Sequence, residues 1–556
     1  MSLHSQYCPR TKFSSYEDFY ENFHIVVPEH FNFSFDVLDY YADTEPGRLA
    51  LIWCDDHGGE EFIHFGELRE RVNRTANLLK AHGVGKGDHV MLLLKSRHEF
   101  WNVILALHKL GAVAVPATHT LTNKDLSYRI QLGAIKACVC YDNGILLDEV
   151  DEAQRATGDI LKLKISVAGK RDGWLSYEDA MGASSPDFPT PPQSEWPAND
   201  DIMLLYFTSG TSGLPKMVQH NFVYPLAHII TAGFWQNVQE GGLHFTVAET
   251  GWMKAVWGKL YGQWLCGTAI FVYDHEYFNA PNMMSKIAKY KVTSFCAPPT
   301  VYRFLIKEDF TKYDFSSVKY CVTAGEPMNQ TVYERFEALS GLKLHEAFGQ
   351  SELVVTTAIW PWMKPRPGSI GKPAPGYRIE LLDTQGKPVA DGEEGEICIK
   401  VDGELPPGIF GGYYLDPERT ASVWHDGYYH TGDVAKMDAD GFLWYVGRND
   451  DVIKSSGYRI GPYEVESVLM MHPAILECAV TGLPDPRRGQ LVKATVVLAK
   501  GVEPSDALKE ELQHFVQKQT APYKYPRVIV FVDSLPKTIS GKIMRSEIQK
   551  RDEQGK

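Results

Sequence analysis

Apolar runs without polar alternation constrain this chain most. His89 to Leu94, Ala112 to Val115 and Ala137 to Tyr141 read as strands with no side left for water. A strand that alternates can face solvent on one side, whereas one that does not must be covered on both faces. Between these runs, Glu99 to Leu110 and Asn123 to Gln131 read as helices. Ahead of them, Phe65 to Gly83 places Leu68, Val72, Ala76 and Leu79 at helical spacing, with Glu67, Arg69, Glu70 and Arg74 between. Strand–helix–strand repetition of this kind requires a parallel sheet with helices on both sides. At 556 residues the chain is also too long for one core. The expected fold class is α/β, with a large N-terminal domain of parallel-rich sheets covered by helices.

Ser184 to Asn199 carries five prolines and reads as a stiff surface connector. It leads to Ile202 to Phe207, another apolar strand, which breaks into Thr208, Ser209, Gly210, Thr211, Ser212 and Gly213 and ends in Lys216. Small residues let successive backbone N–H groups line one concavity, and hydroxyls and a lysine add donors, so the stretch suits a polyphosphate. Gly213 and Lys216 are separated by Leu214 and Pro215, so the Gly-Lys-Ser/Thr pattern is absent. Taken alone, an ordinary Gly/Ser turn would read the same way.

Further along, Trp252 to Trp264 reads as one helix with Trp257, Tyr261 and Trp264 on one face, a spacing more typical of core than of pocket. Strands near Val292 to Phe295 and Val318 to Val322 lead into Cys296-Ala-Pro-Pro299 and Thr323-Ala-Gly-Glu-Pro327, and a fourth ends in Glu346 to Glu352. With the loop after Phe207, four such turns are expected to gather at one edge of a parallel sheet, where open α/β sheets bind ligands. From about Gly376 short strands and tight turns suggest a β-rich subdomain. Beyond Asp450 the pattern becomes that of a small α+β unit, so the expected domains are 1–450 and 451–556.

Net charge of −14 argues against a general nucleic-acid surface, and no apolar run is long enough for a membrane span. Cations do concentrate in Lys537, Lys542, Arg545, Lys550 and Arg551, where a solvated basic helix end is the plain alternative. Met1 to Asp18 has no secretory pattern, and the nine scattered cysteines form no CxxC pair. Reduced thiols and a cytoplasmic location are expected.

Five stretches then occur in order: YFTSGTSGLPK (206–216), EAFGQSE (346–352), YHTGD (429–433), GRNDDVIKSSGYRIGP (447–462) and PKTISGK (536–542). Together they resemble the AMP-forming adenylating superfamily of acyl-CoA synthetases, luciferases and peptide-synthetase adenylation domains. Residues 248–264, 295–309 and 520–527 look most like medium-chain acyl-CoA synthetases of the prokaryotic type. The resemblance implies that a carboxylate attacks the α-phosphorus of ATP to give acyl-AMP and pyrophosphate, after which the CoA thiol takes the acyl group and AMP leaves. It assigns Thr208 to Gly213 and Lys216 to the β and γ phosphates. Gly325, Glu326 and Pro327, with Phe348 stacking, would hold adenine. Glu346, Ala347, Gly349, Gln350 and Ser351 would complete the ATP site, with Ser351 and Glu352 toward the α-phosphate and Mg2+. Asp433 would accept the ribose hydroxyls and Arg448 would donate to the same sugar, with a buried Asp–Arg ion pair as the competing reading. Lys542 would be the mobile catalytic cation and Glu352 the metal carboxylate.

By the same resemblance Trp252, Cys296 and Gly349 line the acyl pocket. Glycine at 349, where acetate-specific relatives carry Trp, implies room for several carbons, and no Arg or Lys is evidently aimed at a second carboxylate. A medium-chain or branched monocarboxylic acid is expected, with aromatic and short-chain acids as alternatives. Rotation of a mobile C-terminal domain about Asp450 would bring Ser456, Gly457, Tyr458 and Arg459 to the site, with Arg459 and Arg527 as contacts for CoA. Acetylation of Lys542 by a lysine acetyltransferase would remove the adenylating charge. A luciferase-like oxidase, a peptide-synthetase module and a non-catalytic nucleotide binder stay open as alternatives, as do monomer and homodimer.

Overall fold

The computed structural model describes residues 3–158, 160–208, 215–456, 458–537 and 543–554, without the side chain of Arg459. Among them, seven strands form one sheet in the order Leu175–Ser176, Leu163–Val167, Ala137–Tyr141, His89–Leu93, Val113–Pro116, Ile202–Thr208 and Lys216–Asn221. Every neighbouring pair is parallel except the last, where Thr208 faces Lys216 in antiparallel register. The strands that flank the glycine- and hydroxyl-rich stretch therefore pair antiparallel at one edge of this sheet. Its incoming strand is buried from Met203 to Phe207, as the apolar run predicts.

A second sheet has 14 strands. Its middle is parallel: Leu344–Gly349, Tyr320–Ala324, Ser294–Cys296, Leu243–Thr246, Ala269–Asp274 and Leu49–Asp55 lie side by side. Beyond Leu344–Gly349 it turns antiparallel through Val355–Ala358 and Ser369–Pro373 into Leu443–Arg448, Tyr428–Met437, Glu394–Lys400 and Arg378–Leu382. The expected β-rich region is thus hydrogen-bonded onto the parallel sheet. The four loops expected at one sheet edge belong to two sheets, since the strand before residue 209 sits in the first and the other three in the second. Sequence shows that a strand is buried but not which neighbours bury it, and here two sheets share one apolar interior.

Helix Glu99–Leu110 lies in that interior, buried from Glu99 through Lys109. A helix apolar all round can be stable only with packing on every side. Its Trp101 indole donates to Lys259 O at 2.7 Å, and this contact helps break the helix expected over Trp252 to Trp264. Two five-residue helices replace it, Lys254–Gly258 and Tyr261–Leu265, with Leu260 at φ −155°. The Gln263 side chain accepts from Leu260 N at 3.1 Å in place of a backbone partner. Gly258 and Gly262 allow the close packing: a Cβ would lie 2.1 Å from Thr246 Oγ1 at the first and 2.2 Å from His228 O at the second. Trp257, Tyr261 and Trp264 consequently do not share a face of one helix. Tyr261 and Trp264 pack around Phe33 in the core, and Trp257 turns toward Gly349.

Past Asp451 a separate five-stranded sheet contains Ile453–Ser455, Tyr458–Ile460, Ile475–Asp485, Gly489–Leu498 and Val528–Phe531. Helices Pro462–Leu469 and Asp506–Gln519 cover it, burying Val465, Leu469, Leu508, Leu512 and Val516 against Val480, Val496 and Ile529. About a hundred residues carry this small core, consistent with an independent unit. Asn329 Nδ2 donates to Ser467 O at 3.0 Å, joining it to the larger domain.

Candidate active site

The antiparallel strand after the hairpin starts at Lys216, whose ammonium lies 2.8 Å from Glu352 Oε1 and donates to Tyr413 Oη at 2.5 Å. Tyr413 Oη donates in turn to Glu352 Oε1 at 2.8 Å. Burial alone would raise the Glu352 carboxyl, but the Lys216 charge and the two hydrogen bonds outweigh it and hold the group below its ordinary value. The sequence reading missed Tyr413. Its signal is the Gly411-Gly412-Tyr413-Tyr414 turn, in which Gly412 takes φ +123° and Tyr413 bridges Val218 on the Lys216 strand. His220 from that strand adds a second tie, its Nε2 lying 2.7 Å from Ser351 O. Burial lowers its pKa to about 4, so the neutral ring donates this bond.

Gln350 spans the next step of the site. Its Nε2 donates to Thr431 O at 2.8 Å and to an Asp433 carboxylate oxygen, and its Oε1 accepts from Tyr429. Asp433 is buried on the strand Tyr428–Met437 and also accepts from Tyr445 Oη at 2.8 Å. Arg448, paired with it across the strands, approaches the carboxylate at 3.5 Å and Asp450 at 3.6 Å. The tyrosine ring that holds Asp433 is also the neighbour of Phe348, at 6.4 Å between centroids. The Asp–Arg pair therefore exists, and it stands beside the aromatic wall expected for adenine.

Gly325 adopts φ +103°, a conformation that favours glycine. Glu326 is engaged by Arg303 at 3.0 Å and Thr300 at 3.2 Å, residues the sequence reading did not single out. Glu346 is fully buried beneath this turn and accepts from Met328 N at 2.9 Å. Burial raises its pKa to about 8 against the opposing effect of the Met328 and Gly368 N–H groups. It supports the turn from within the protein, while Ala347 is buried one residue on.

Gly349 does not open onto free space. A Cβ there would lie 2.4 Å from Val354 O and 2.5 Å from the Trp257 ring. Trp257 Nε1 donates to Tyr224 Oη at 2.9 Å, fixing the indole in that position. The room implied by glycine is thus occupied by another aromatic side chain, which spacing along the sequence could not reveal. Cys296 is buried at the end of its strand near Lys254, whose ammonium donates to Ala324 O at 2.9 Å. Burial lowers the Lys254 pKa. Trp252, half-buried, begins the same turn.

In the small domain, Ser456 takes φ +52° and its Oγ accepts from Arg488 at 3.2 Å. Tyr458 is exposed and stacks on Tyr523 at 4.0 Å, and Arg527 donates to Tyr525 Oη at 2.6 Å. Ser209, Gly210, Thr211, Ser212, Gly213, Gly457 and Lys542 lie outside the described residues, as does the Arg459 side chain. All nine cysteines are buried and unbridged. Among the described residues no helix is long and apolar enough to cross a membrane.

Residues 38–414 match the family model for AMP-binding enzymes, and residues 464–542 match that for the AMP-binding enzyme C-terminal domain. The chain is 39% identical over 549 residues to the acyl-coenzyme A synthetase ACSM3, mitochondrial, of Rattus norvegicus, covering 97% of this chain and 94% of the relative. It is 40% identical over 537 residues to ACSM5, mitochondrial, of Homo sapiens, covering 95% and 91%. Among solved structures, the anthranilate CoA ligase AuaEII with anthranoyl-AMP superposes at a TM-score of 0.87 with 28% identity, over 95% of this chain and 98% of that one. A benzoate CoA ligase from Burkholderia xenovorans LB400 gives 0.82 at 28% identity, over 93% and 100%.

Proposed function

The chain belongs to the AMP-binding enzyme family, and from that premise we propose how its residues divide the work of an AMP-forming acid–CoA ligase. The enzyme activates a carboxylic acid with ATP to acyl-AMP and pyrophosphate, then transfers the acyl group to CoA with release of AMP. The observation that carries the assignment of residues is the Lys216–Tyr413–Glu352 triad set beside the Gln350–Asp433–Tyr445–Arg448 cluster. Phosphoryl transfer needs charge held in line more than covalent help. Lys216 and the 208–213 stretch would steady the departing pyrophosphate, and Ser351 would face the α-phosphate. Asp433 would orient the ribose, while Phe348 and the Gly325–Pro327 turn enclose adenine. Lys542 would neutralise the developing charge between the carboxylate and the α-phosphate.

Mg2+ takes oxygen donors, and Glu352 suits it: the Lys216 charge and the Tyr413 hydroxyl hold the carboxyl ionised, and Ser351 precedes it in the chain. When bound, that ion would screen the phosphate charges. Binding it requires Glu352 to share or release the Lys216 ammonium, which would free that cation for phosphate.

The acid is proposed to be a medium-chain or branched monocarboxylate. Trp257 beside Gly349 would limit depth, and Lys254 is already committed to Ala324 O instead of a second substrate carboxylate. An aromatic acid is the second reading, favoured by likeness to the anthranilate and benzoate ligases. For the thioester step, the division at Asp450 would act as a hinge, bringing 456–459 to the acyl-AMP, with Arg459 and Arg527 toward CoA. Acetylation of Lys542 is proposed to stop adenylation and spare thioester formation from supplied acyl-AMP. The cytoplasm is kept as the proposed location on the strength of the unbridged thiols; the relatives' names describe those proteins as mitochondrial.

The deciding experiment measures CoA-dependent AMP formation across straight acids from acetate to decanoate, branched acids, benzoate and a dicarboxylate. A maximum among medium-length or branched monocarboxylates is expected. Preference for the dicarboxylate would overturn the reading of Lys254, and preference for benzoate would select the aromatic alternative.

A further inference from the structure

Strands Glu394–Lys400 and Tyr428–Met437 set Cys398 directly opposite His430, and Glu396 lies two residues earlier on the first strand. A register shift between Glu396 and Cys398 brings both side chains to the same imidazole. His430 Nδ1 is 3.4 Å from Cys398 Sγ and 3.3 Å from Glu396 Oε2, and the three donor atoms all lie within 4.8 Å of one another. Tetrahedral zinc with bonds of about 2.3 Å to sulfur and about 2.0–2.2 Å to nitrogen and oxygen has S–N and N–O edges of about 3.5 and about 3.4 Å. The observed separations therefore match two edges of such a tetrahedron, and the third, between the Cys398 and Glu396 donors, lies within 4.8 Å.

The surroundings agree with the geometry. The Glu396 carboxylate is anchored through Oε1 by Gly432 N at 2.9 Å, leaving Oε2 toward the cluster. The His430 ring is held by stacking on His425 at 3.8 Å, and its other nitrogen is buried without a hydrogen-bond partner. Glu380 stands across from Cys398 on the neighbouring strand but is occupied by Tyr428 Oη at 2.7 Å. His430 and Glu396 remain 12% and 21% exposed at the side chain, enough for an ion and a water in the fourth position to enter.

We infer that Glu396, Cys398 and His430 form a binding site for a borderline-soft divalent cation, with Zn2+ as the best match. A thiolate, an imidazole and a carboxylate together suit zinc or cobalt and are poorly matched to magnesium. On binding, the Cys398 thiol loses its proton to solvent and the His430 proton resides on Nε2. The site is separate from the phosphate triad, although its Glu396 anchor at Gly432 adjoins Asp433.

The test titrates the full chain, freed of metal by chelator dialysis and held in excess Mg2+, with Co2+. One equivalent is expected to bind with a sulfur-to-cobalt charge-transfer band and to be displaced by Zn2+. Cys398→Ser should abolish the band, and His430→Gln should weaken binding at least about tenfold. X-ray absorption of the zinc-loaded wild-type chain gives a readout that needs no variant and should show one sulfur in a nitrogen/oxygen shell. Absence of the band, a shell without sulfur, or a band retained in folded Cys398→Ser protein would each overturn the proposal.

Discussion

Tyr413→Phe isolates the contribution of a single oxygen atom to adenylation. That oxygen accepts from Lys216 at 2.5 Å and donates to Glu352 at 2.8 Å. Phenylalanine keeps the ring, its edge contact with Phe410 at 5.0 Å and the Lys216 cation over its face at 4.2 Å. A hydrogen bond to a charged partner contributes about 1.5–3 kcal/mol. At about 1.4 kcal/mol per decade, loss of one such contribution slows the first half-reaction about ten- to 150-fold. The direct Lys216–Glu352 contact at 2.8 Å persists, so the charges remain and only their placement loosens. The assay is carboxylate-dependent pyrophosphate exchange, run beside acyl transfer from supplied acyl-AMP to CoA. Exchange should fall within that range while transfer and melting temperature stay near wild type. Unchanged exchange would refute a positioning role for Tyr413, and an equal fall in both half-reactions would show that the effect is not confined to the phosphate site.

Glu346 supplies a pH prediction: its folded pKa, raised to about 8 by burial, lies above its ordinary value, so its stabilising contribution is full near pH 4.5 and is lost as pH rises through about 8. Glu346→Gln should therefore flatten the fall in melting temperature between about pH 5 and 8, the interval between the ordinary and the folded pKa; a parallel curve would contradict it. Gly349→Ala should destabilise the protein by about 1–3 kcal/mol through overpacking, partly relieved by Trp257→Ala, as a double-mutant denaturation cycle would show. Trp257→Ala alone should move the chain-length optimum toward longer acids, and an unchanged profile would place Trp257 outside the acyl pocket. Asp450→Pro should leave pyrophosphate exchange intact and cripple thioester formation; the turn's backbone bonds come from Asn449, Asp451 and Val452, so a fold defect would appear instead as equal loss of both.

The sequence by itself determined the local elements and the chemistry they carry. The apolar strands, the helix Glu99–Leu110 and the small C-terminal unit follow from periodicity, because burial on both faces leaves a one-dimensional trace. The phosphate-suited residues and Asp433 were likewise legible as types in an order. Tertiary structure alone decided what those residues meet. It split the expected loops between two sheets and broke the Trp252–Trp264 helix where Trp101 takes the Lys259 carbonyl. It paired Lys216 with Glu352 through Tyr413, 197 residues along the chain from the lysine. It also filled the space beside Gly349 with Trp257. Each of these outcomes depends on atoms far apart in sequence competing for the same few ångströms, and hydrophobic spacing carries no record of that competition.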